Sequence, residues 1–510
     1  MTVDLTGLRT ALITGASSGI GCSLAEALAA RGHDLVLVAR NRARLDALAE
    51  RVRQQQGVLV EVLVADLTDP EDVARVGTRL TQTERPVDLL FNNAGDTVDA
   101  ALGDVDVDRL RRHVALNLGA VLALTRTALP AMIARRRGAV VNVASVDVFV
   151  SKAGPAAVYS AGKLWVTVLT ESLAQELRGT GVHAMALCPG LTDTEFADRN
   201  EVGATSPRRF GARSWSPADM AQACLGDLAR GRVVSVPGVR FRVTATLGRL
   251  VPHRPLGVLP TLARRRRSGL ASGVPRRALI TSADSDLGGT VARTLLAEGT
   301  EVVLVGRAED RMARLVESLG SADQKAVEVV AADLAVPLER EYICRRLQDE
   351  SRPIDLVVLG VERPALSTNF SNTALDVLQS ELQAGPMAAL ELLRAALSAM
   401  SAGRGGRIVT LPDAAGFSPG RGTTRGATDA FVLSLTRSFG ISVLDSKVDI
   451  VAVVPPRTGT ALSRRSEGEI TGATRSGSLV VAPPRVALVD LACRVVPRAV
   501  RRRLATMIRR

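Results

Sequence analysis

Tyr159 and Lys163 fall within one short stretch, Tyr159-Ser160-Ala161-Gly162-Lys163, in a chain of 510 residues that holds two tyrosines and four lysines. At i and i+4 they share one face of a helix. An ammonium beside a phenol favours the phenolate and lowers a pKa that is ordinarily ~10. Such a pair is an acid/base able to work near neutral pH. Upstream lies Thr14-Gly15-Ala16-Ser17-Ser18-Gly19-Ile20-Gly21. Glycines are needed where a backbone turns tightly and lies close to a pyrophosphate. A helix N-terminus then adds free N–H groups and the positive end of its dipole. This turn follows a strand-like run and opens a helix-like one, the context that makes a glycine-rich turn a nucleotide signal.

Arg40 ends the second strand-like run. Folds that take NAD usually place an acid near here for the ribose hydroxyl, whereas a base accommodates a 2′-phosphate. Arg40, with Arg42 and Arg44 nearby, points to NADP(H) over NAD(H). The competing reading is a solvated arginine in an arginine-rich chain. Asp66-Leu67 end the third run, where they can meet the adenine, and a helix-capping Asp66 is the other reading.

These residues need a scaffold, and the chain supplies alternating strands and helices. Residues 11–14, 35–39, 59–65, 87–91, 139–143 and 183–187 are short apolar runs, with helical stretches such as 23–31 and 42–54 between them. Continuous apolar runs separated by helices indicate a parallel α/β sheet covered on both faces, the doubly wound class. The pattern then restarts. Residues 278–281 match 11–14, Ala332-Asp333-Leu334 match Ala65-Asp66-Leu67, and 353–356 match 86–89. The displacement of about 266 residues is far too long for a solenoid repeat, so the chain reads as two copies of one domain. The expected division is 1–245, a basic linker 246–277, and 278–510.

An apolar fraction of 46% with only 3% aromatics makes the cores Ala, Val and Leu. The net charge is +13 and the pI about 10.6. The charge is local: 239–277 holds ten arginines, 494–510 holds seven, and neither holds an acid. With these segments set aside the protein is close to neutral. A nucleic-acid partner is not expected, since no aromatics interleave the arginines to stack on bases. Apolar residues do interleave them, so peripheral contact with anionic membrane is expected, with a flexible basic linker and tail as the competing reading. Cys22, Cys188, Cys224, Cys344 and Cys493 are scattered and form no C-x-x-C pair. They read as reduced thiols, and no metal site is expected. There is no basic-then-apolar leader and no apolar run near the ~20 residues of a spanning helix, which predicts a cytoplasmic protein.

Taken together, these motifs resemble the short-chain dehydrogenase/reductase family. The glycine segment matches its T-G-x-x-x-G-x-G motif, and Asn92-Asn93-Ala94-Gly95 its N-N-A-G motif. Asn117, Ser145, Tyr159 and Lys163 match its catalytic tetrad. Pro189-Gly190, followed by Thr192 and Thr194, match the segment over the nicotinamide. The resemblance spans roughly 8–236 and implies a Rossmann-like fold and hydride transfer between NADP(H) and a carbonyl or alcohol. It implies Tyr159 as the acid/base, Lys163 tuning it and holding the ribose, Ser145 on the substrate oxygen, and Asn117 on a relay water. Gly15, Ser17, Ser18, Gly19, Ile20, Gly21, Arg40, Asp66, Leu67, Asn93, Ala94 and Gly95 would line the dinucleotide. Ser145 stands fourteen residues before Tyr159, where thirteen is common, which implies an extra loop residue within 148–155 and leaves Ser151 as a second candidate.

The second copy keeps the scaffold and loses this chemistry. Its turn reads Thr281-Ser282-Ala283-Asp284-Ser285-Asp286-Leu287-Gly288, and an aspartate there repels phosphate. Leu359-Gly360-Val361-Glu362 replace the N-N-A-G residues. Arg425 and Asp429 stand for Tyr159 and Lys163, Asp413 falls near Ser145, Gln383 replaces Asn117, and Pro456 replaces Gly190. This copy reads as a pseudoenzyme. Family members commonly associate through the helix that carries Tyr-x-x-x-Lys. Residues 164–169 and 430–435 are both apolar all round, which predicts an intramolecular pseudo-dimer. The contrasting class is a non-catalytic dinucleotide-binding or scaffold protein, peripheral to a membrane.

Overall fold

The computed structural model describes residues 3–98, 102–149, 156–196, 214–243, 275–360, 369–403, 405–413, 423–443, 446–454 and 480–481. Ser151, residues 197–213, Val361, Glu362, Pro456, most of the 246–277 linker and the 494–510 tail lie outside the described residues.

Seven strands form the first sheet: β1 (Thr10–Thr14), β2 (Asp34–Ala39), β3 (Val60–Val64), β4 (Val87–Asn92), β5 (Gly138–Val143), β6 (Val182–Leu187) and β7 (Val234–Ser235). They lie parallel in the order β3-β2-β1-β4-β5-β6-β7. The order reverses between β1 and β4, and in such sheets ligands bind at that crevice, beyond the strands' carboxyl ends. The second sheet repeats the plan with β8 (Arg277–Ile280), β9 (Glu301–Gly306), β10 (Val327–Ala331), β11 (Leu356–Gly360), β12 (Gly406–Leu411), β13 (Val448–Val453) and β14 (Val480–Val481). Its order is β10-β9-β8-β11-β12-β13-β14. The chain is therefore two tandem doubly wound α/β units.

In the first unit the helices are α1 (Gly19–Ala29), α2 (Arg42–Gln56), α3 (Pro70–Thr81), α4 (Val107–Val114), α5 (Ala120–Ala134) and α6 (Ala157–Glu176). A wider π turn, Ala115–Gly119, joins α4 to α5. Leu24 and Leu28 of α1, Leu45 and Leu48 of α2, and Met220 and Leu225 of the Pro217–Ala229 helix cover one sheet face. The other face belongs to an apolar cluster that does not stop at the copy boundary. Leu118, Trp165 and Leu169 share it with Leu382, Phe431 and Leu435.

The copies meet where α6 packs along the Thr423–Ser442 helix and α5 along the Leu375–Leu382 helix. Polar contacts frame this apolar seam. Arg126 Nε donates to the Thr373 carbonyl (2.6 Å) and Arg394 Nε to the Val105 carbonyl (2.6 Å). Glu176 accepts from the Phe370 and Ser371 backbone N–H groups, both at 2.9 Å. Glu391 is 3% exposed and sits between Arg111 of the first copy (2.9 Å) and Arg340 of its own (2.8 Å). The segment Val107–Ala134 is long and apolar enough to cross a membrane by length and composition, contrary to the expectation that no run approaches that size. Most of its apolar window is buried inside the protein.

Candidate active site

The turn after β1 and the loop after β4 hold each other. Thr14 Oγ1 accepts from the backbone N–H groups of Asn93 (2.9 Å) and Ala94 (3.0 Å), and Asn93 Nδ2 donates to the Thr14 carbonyl (2.9 Å). This closeness explains the glycines. Gly15 has φ +65, and a Cβ there would stand 2.9 Å from Asn93 Nδ2. A Cβ at Gly21 would stand 2.4 Å from the Gly15 carbonyl oxygen. Ser17, Ser18 and Ile20 lie half-buried along the same turn, and Ser18, the N-cap of α1, makes no side-chain cap. A helix start without a side-chain cap hydrogen bond, at a glycine turn, fits an anionic pyrophosphate.

Arg40 stands at the end of β2, its side chain 73% exposed and 3.8 Å from Asp66. Asp66 also accepts from the Thr68 N–H (3.0 Å) and hydroxyl (2.9 Å), so it shapes the turn after β3. The cap of α3 is Asp69 instead. Leu67 is buried. Arg44 pairs with Glu195 at 2.7 Å, and Arg42 is exposed. Beyond β6, the Pro189 carbonyl accepts from the Val146 N–H (3.0 Å) and Thr192 Oγ1 donates to the Gly190 carbonyl (3.0 Å). Thr194 lies over Gly19, where a Cβ would meet its Cγ2 at 3.1 Å.

Tyr159 opens α6 and Lys163 follows one turn later, its Nζ 5.7 Å from the Tyr159 ring centroid. Lys163 is 4% exposed and donates to the Val143 carbonyl at 2.9 Å. Ser145 follows β5, is buried, and accepts from the Asp147 N–H at 3.2 Å. Asn117 lies in the π turn, again buried. Gly95 lies between: a Cβ on it would stand 2.9 Å from Asn117 Oδ1 and 3.3 Å from Lys163 Nζ. The Phe196 ring lies 6.1 Å from that of Tyr159.

The electrostatics correct one expectation. The spacing predicts a phenol lowered by its lysine, but burial pushes the Tyr159 pKa up, Asp147 adds to the rise, and the hydrogen bond with Ser145 opposes it. Burial also lowers Lys163, to about 8, against the pull of Asp96 and Cys188. Desolvation disfavours both charged forms. The expectation counted the pair and not the dry pocket around it.

Three neighbours were not foreseen. Asp96, directly after the N-N-A-G residues, bonds His113 Nδ1 (2.8 Å) and Asn117 Nδ2 (2.6 Å) and pairs with Arg109. His113 stands one turn before Asn117, a spacing that was open to reading. Phe241 lies against Gly190, where a Cβ would meet its ring at 2.2 Å. No sequence motif signals that contact.

Comparison with known proteins identifies the family. The family model for short chain dehydrogenase matches residues 9–203 and again 276–470. The chain belongs to the short chain dehydrogenase family. An uncharacterized oxidoreductase of Staphylococcus saprophyticus is 32% identical over 235 residues, 46% of this chain and 97% of that protein. Another, from Staphylococcus aureus, is 31% identical over the same length and covers 96% of its own. Among solved structures, a short-chain dehydrogenase from Sphingobium yanoikuyae in complex with NADPH is 35% identical (TM-score 0.43), covering 52% of this chain and 98% of that one. A bulky-bulky ketone specific alcohol dehydrogenase from Comamonas testosteroni is 31% identical (TM-score 0.41), covering 52% and 96%.

Within the family plan the second copy is degenerate. Ser282 takes the place of Gly15 and keeps a left-handed backbone, φ +52, which is costly for a residue with a Cβ. Ser285 Oγ caps the following helix at the Gly288 N–H (3.0 Å). Asp284 folds over the end of β9, accepting from the Ala308 N–H at 3.1 Å and filling the space beside Gly306. Asp429 Oδ1 accepts from the Asp413 N–H (2.9 Å), Arg425 lies 3.9 Å from Asp413, and Gln383 Oε1 accepts from Arg340.

Proposed function

We propose that the first copy is an NADP(H)-dependent dehydrogenase/reductase interconverting a carbonyl and an alcohol. The observation that carries this reading is the convergence of Ser145, Tyr159, Lys163 and Asn117 at the carboxyl edge of β4–β6, beside a glycine turn with an uncapped helix start. The turn from Gly15 to Gly21 would hold the pyrophosphate, Arg40 the 2′-phosphate, and Asp66 and Leu67 the adenine side. Asn93, Ala94 and Gly95 would flank the ribose, Lys163 and Tyr159 would bond it, and Pro189, Gly190, Thr192 and Thr194 would cover the nicotinamide. When bound, the dinucleotide supplies the hydride.

The protein's own residues manage the proton. A phenol with a raised pKa is neutral at pH 7, so Tyr159 stands ready to donate to a carbonyl oxygen. Ser145 adds a hydrogen bond to that oxygen as its charge develops. Lys163 and Asn117, behind the tyrosine, return the proton.

The second copy, by this reading, binds no dinucleotide. Ser285 already satisfies the N–H that a phosphate would seek, and Asp284 brings a carboxylate to the same crevice. It acts as a built-in partner, supplying α6 with the surface that a second subunit would give. The division 1–245, 246–277 and 278–510 and a cytoplasmic location go with this reading. The test is NADPH oxidation by the full chain against a panel of aliphatic, aryl and bulky ketones and aldehydes. Turnover of some member supports it. NADPH binding with no turnover on any member returns the protein to the non-catalytic class.

A further inference from the structure

We propose that Asp96 is a positioning residue of this site: its carboxylate turns the Asn117 amide so that the carbonyl oxygen faces Lys163, and it sets a negative charge next to Gly95, the wall at which Lys163 Nζ stands. The inference rests on the reading of Asn117 and Lys163 as working residues given above.

Start with the carboxylate. Asp96 Oδ2 takes the Arg109 guanidinium, whose other nitrogen donates to the Thr97 carbonyl at 2.6 Å. Oδ1 accepts from His113 Nδ1 (2.8 Å) and from Asn117 Nδ2 (2.6 Å). Burial opposes ionisation of Asp96, but the His113 hydrogen bond and charge, then Arg109, outweigh it and hold the carboxyl well below the usual range. Asp96 is therefore ionised at any working pH.

The amide comes next. Asn117 Nδ2 has three oxygen acceptors within reach, Asp96 Oδ1, the Asp96 carbonyl (3.2 Å) and the His113 carbonyl (3.2 Å), and it also lies 3.2 Å from His113 Nδ1, whose proton goes to Asp96. An inverted amide would set oxygen against three oxygens and gain at most a share of the one His113 proton, so this orientation is favoured. Oδ1 then points the other way, buried and without a protein partner among the described residues. An unsatisfied buried carbonyl is costly. It faces the wall that Gly95 leaves bare, and Lys163 Nζ stands at the same wall. His113 braces this arrangement from behind: its Nε2 lies near Gly162, inside the Tyr159–Lys163 turn, where a Cβ would meet it at 3.8 Å.

The groups facing Lys163 come from several elements. Tyr159 lies on its own helix, the Val143 carbonyl on β5, Cys188 at the end of β6, and Asp96 after β4. Arg109 meets it through Asp96, His113 pairs with Asp96 and also approaches Gly162 within the same helical turn, and Asp147 acts on Tyr159. Asp96 is the larger of the two influences that oppose the loss of the Lys163 proton. A merely structural Asp96 would hold the loop and leave Lys163 untouched.

The test reads Lys163 directly. With four lysines in the chain, the full-length protein labelled with 13Cε-lysine gives a spectrum in which Lys163→Arg identifies the signal. Wild type should titrate near pH 8. Asp96→Asn should lower the midpoint by roughly one unit, the scale of a nearby opposite charge. Arg109→Gln, which unmasks the carboxylate, should raise it, and it decides the question if Asp96→Asn does not fold. The alkaline limb of kcat/KM should move with each midpoint. An unchanged midpoint in a folded variant, with activity lost equally at every pH, overturns the proposal. Because the titration needs no substrate, a wild type that turns over nothing counts against the functional reading alone.

Discussion

At the scale of residues, Arg40 gives the plainest test of cofactor choice. It is largely exposed and only loosely paired with Asp66, so it is available to a phosphate. Wild type should prefer NADPH over NADH by roughly ten- to a hundredfold in kcat/KM, the worth of a hydrogen bond to a charged group. Arg40→Asp should reverse or greatly reduce that preference, and equal use of NADH by wild type would remove Arg40 from the role. Much of the site was readable at this scale. Spacing marked Tyr159 and Lys163, the family resemblance added Asn117 and Ser145, and the fold brings the four to one edge. The direction of the Tyr159 pKa was not readable, since desolvation depends on what covers the ring. Asp96 and His113 are 17 residues apart, and only the packing of α4 on the loop after β4 makes them neighbours.

At the scale of elements, the apolar runs located every long strand of the first sheet to within a residue or two, because strands buried on both faces show as continuous Val, Ile, Leu and Ala. Two features escaped. β7 has two residues, too few to carry a pattern. The π turn at Ala115–Gly119 keeps helical composition while shifting Asn117 relative to α4. The seam between copies was visible only as helices apolar all round, with no hint of the ions beside it. Arg111, Glu391 and Arg340 form a bridge in which Glu391 and Arg340 are 3% and 1% exposed. Glu391→Ala leaves two guanidinium groups without their shared carboxylate. It should cost roughly 3–5 kcal/mol, read as a clear fall in Tm, and an unchanged Tm would mean that the bridge contributes nothing.

At the scale of the molecule, the two copies share one apolar cluster, and Trp165 of α6 is 1% exposed within it. A fragment of residues 1–245 would bare that face. It should aggregate or self-associate, as judged by light scattering, whereas a soluble, fully active monomer would leave the second copy without this role. The duplication itself was legible, since the same strand endings recur in Asp66 and Asp333. Membrane contact through the arginine-rich segments is a separate expectation: flotation with anionic liposomes should occur at low salt and fade at high salt, and no flotation at low salt ends it. The central claim is that the first copy performs hydride transfer with Tyr159 as the proton donor. It is tested most directly by Tyr159→Phe in the full chain, on whichever carbonyl the wild type reduces, with NADPH binding followed by fluorescence in the same samples. The account predicts that turnover is lost while NADPH still binds. Turnover persisting in Tyr159→Phe would contradict it and place the chemistry elsewhere in the chain.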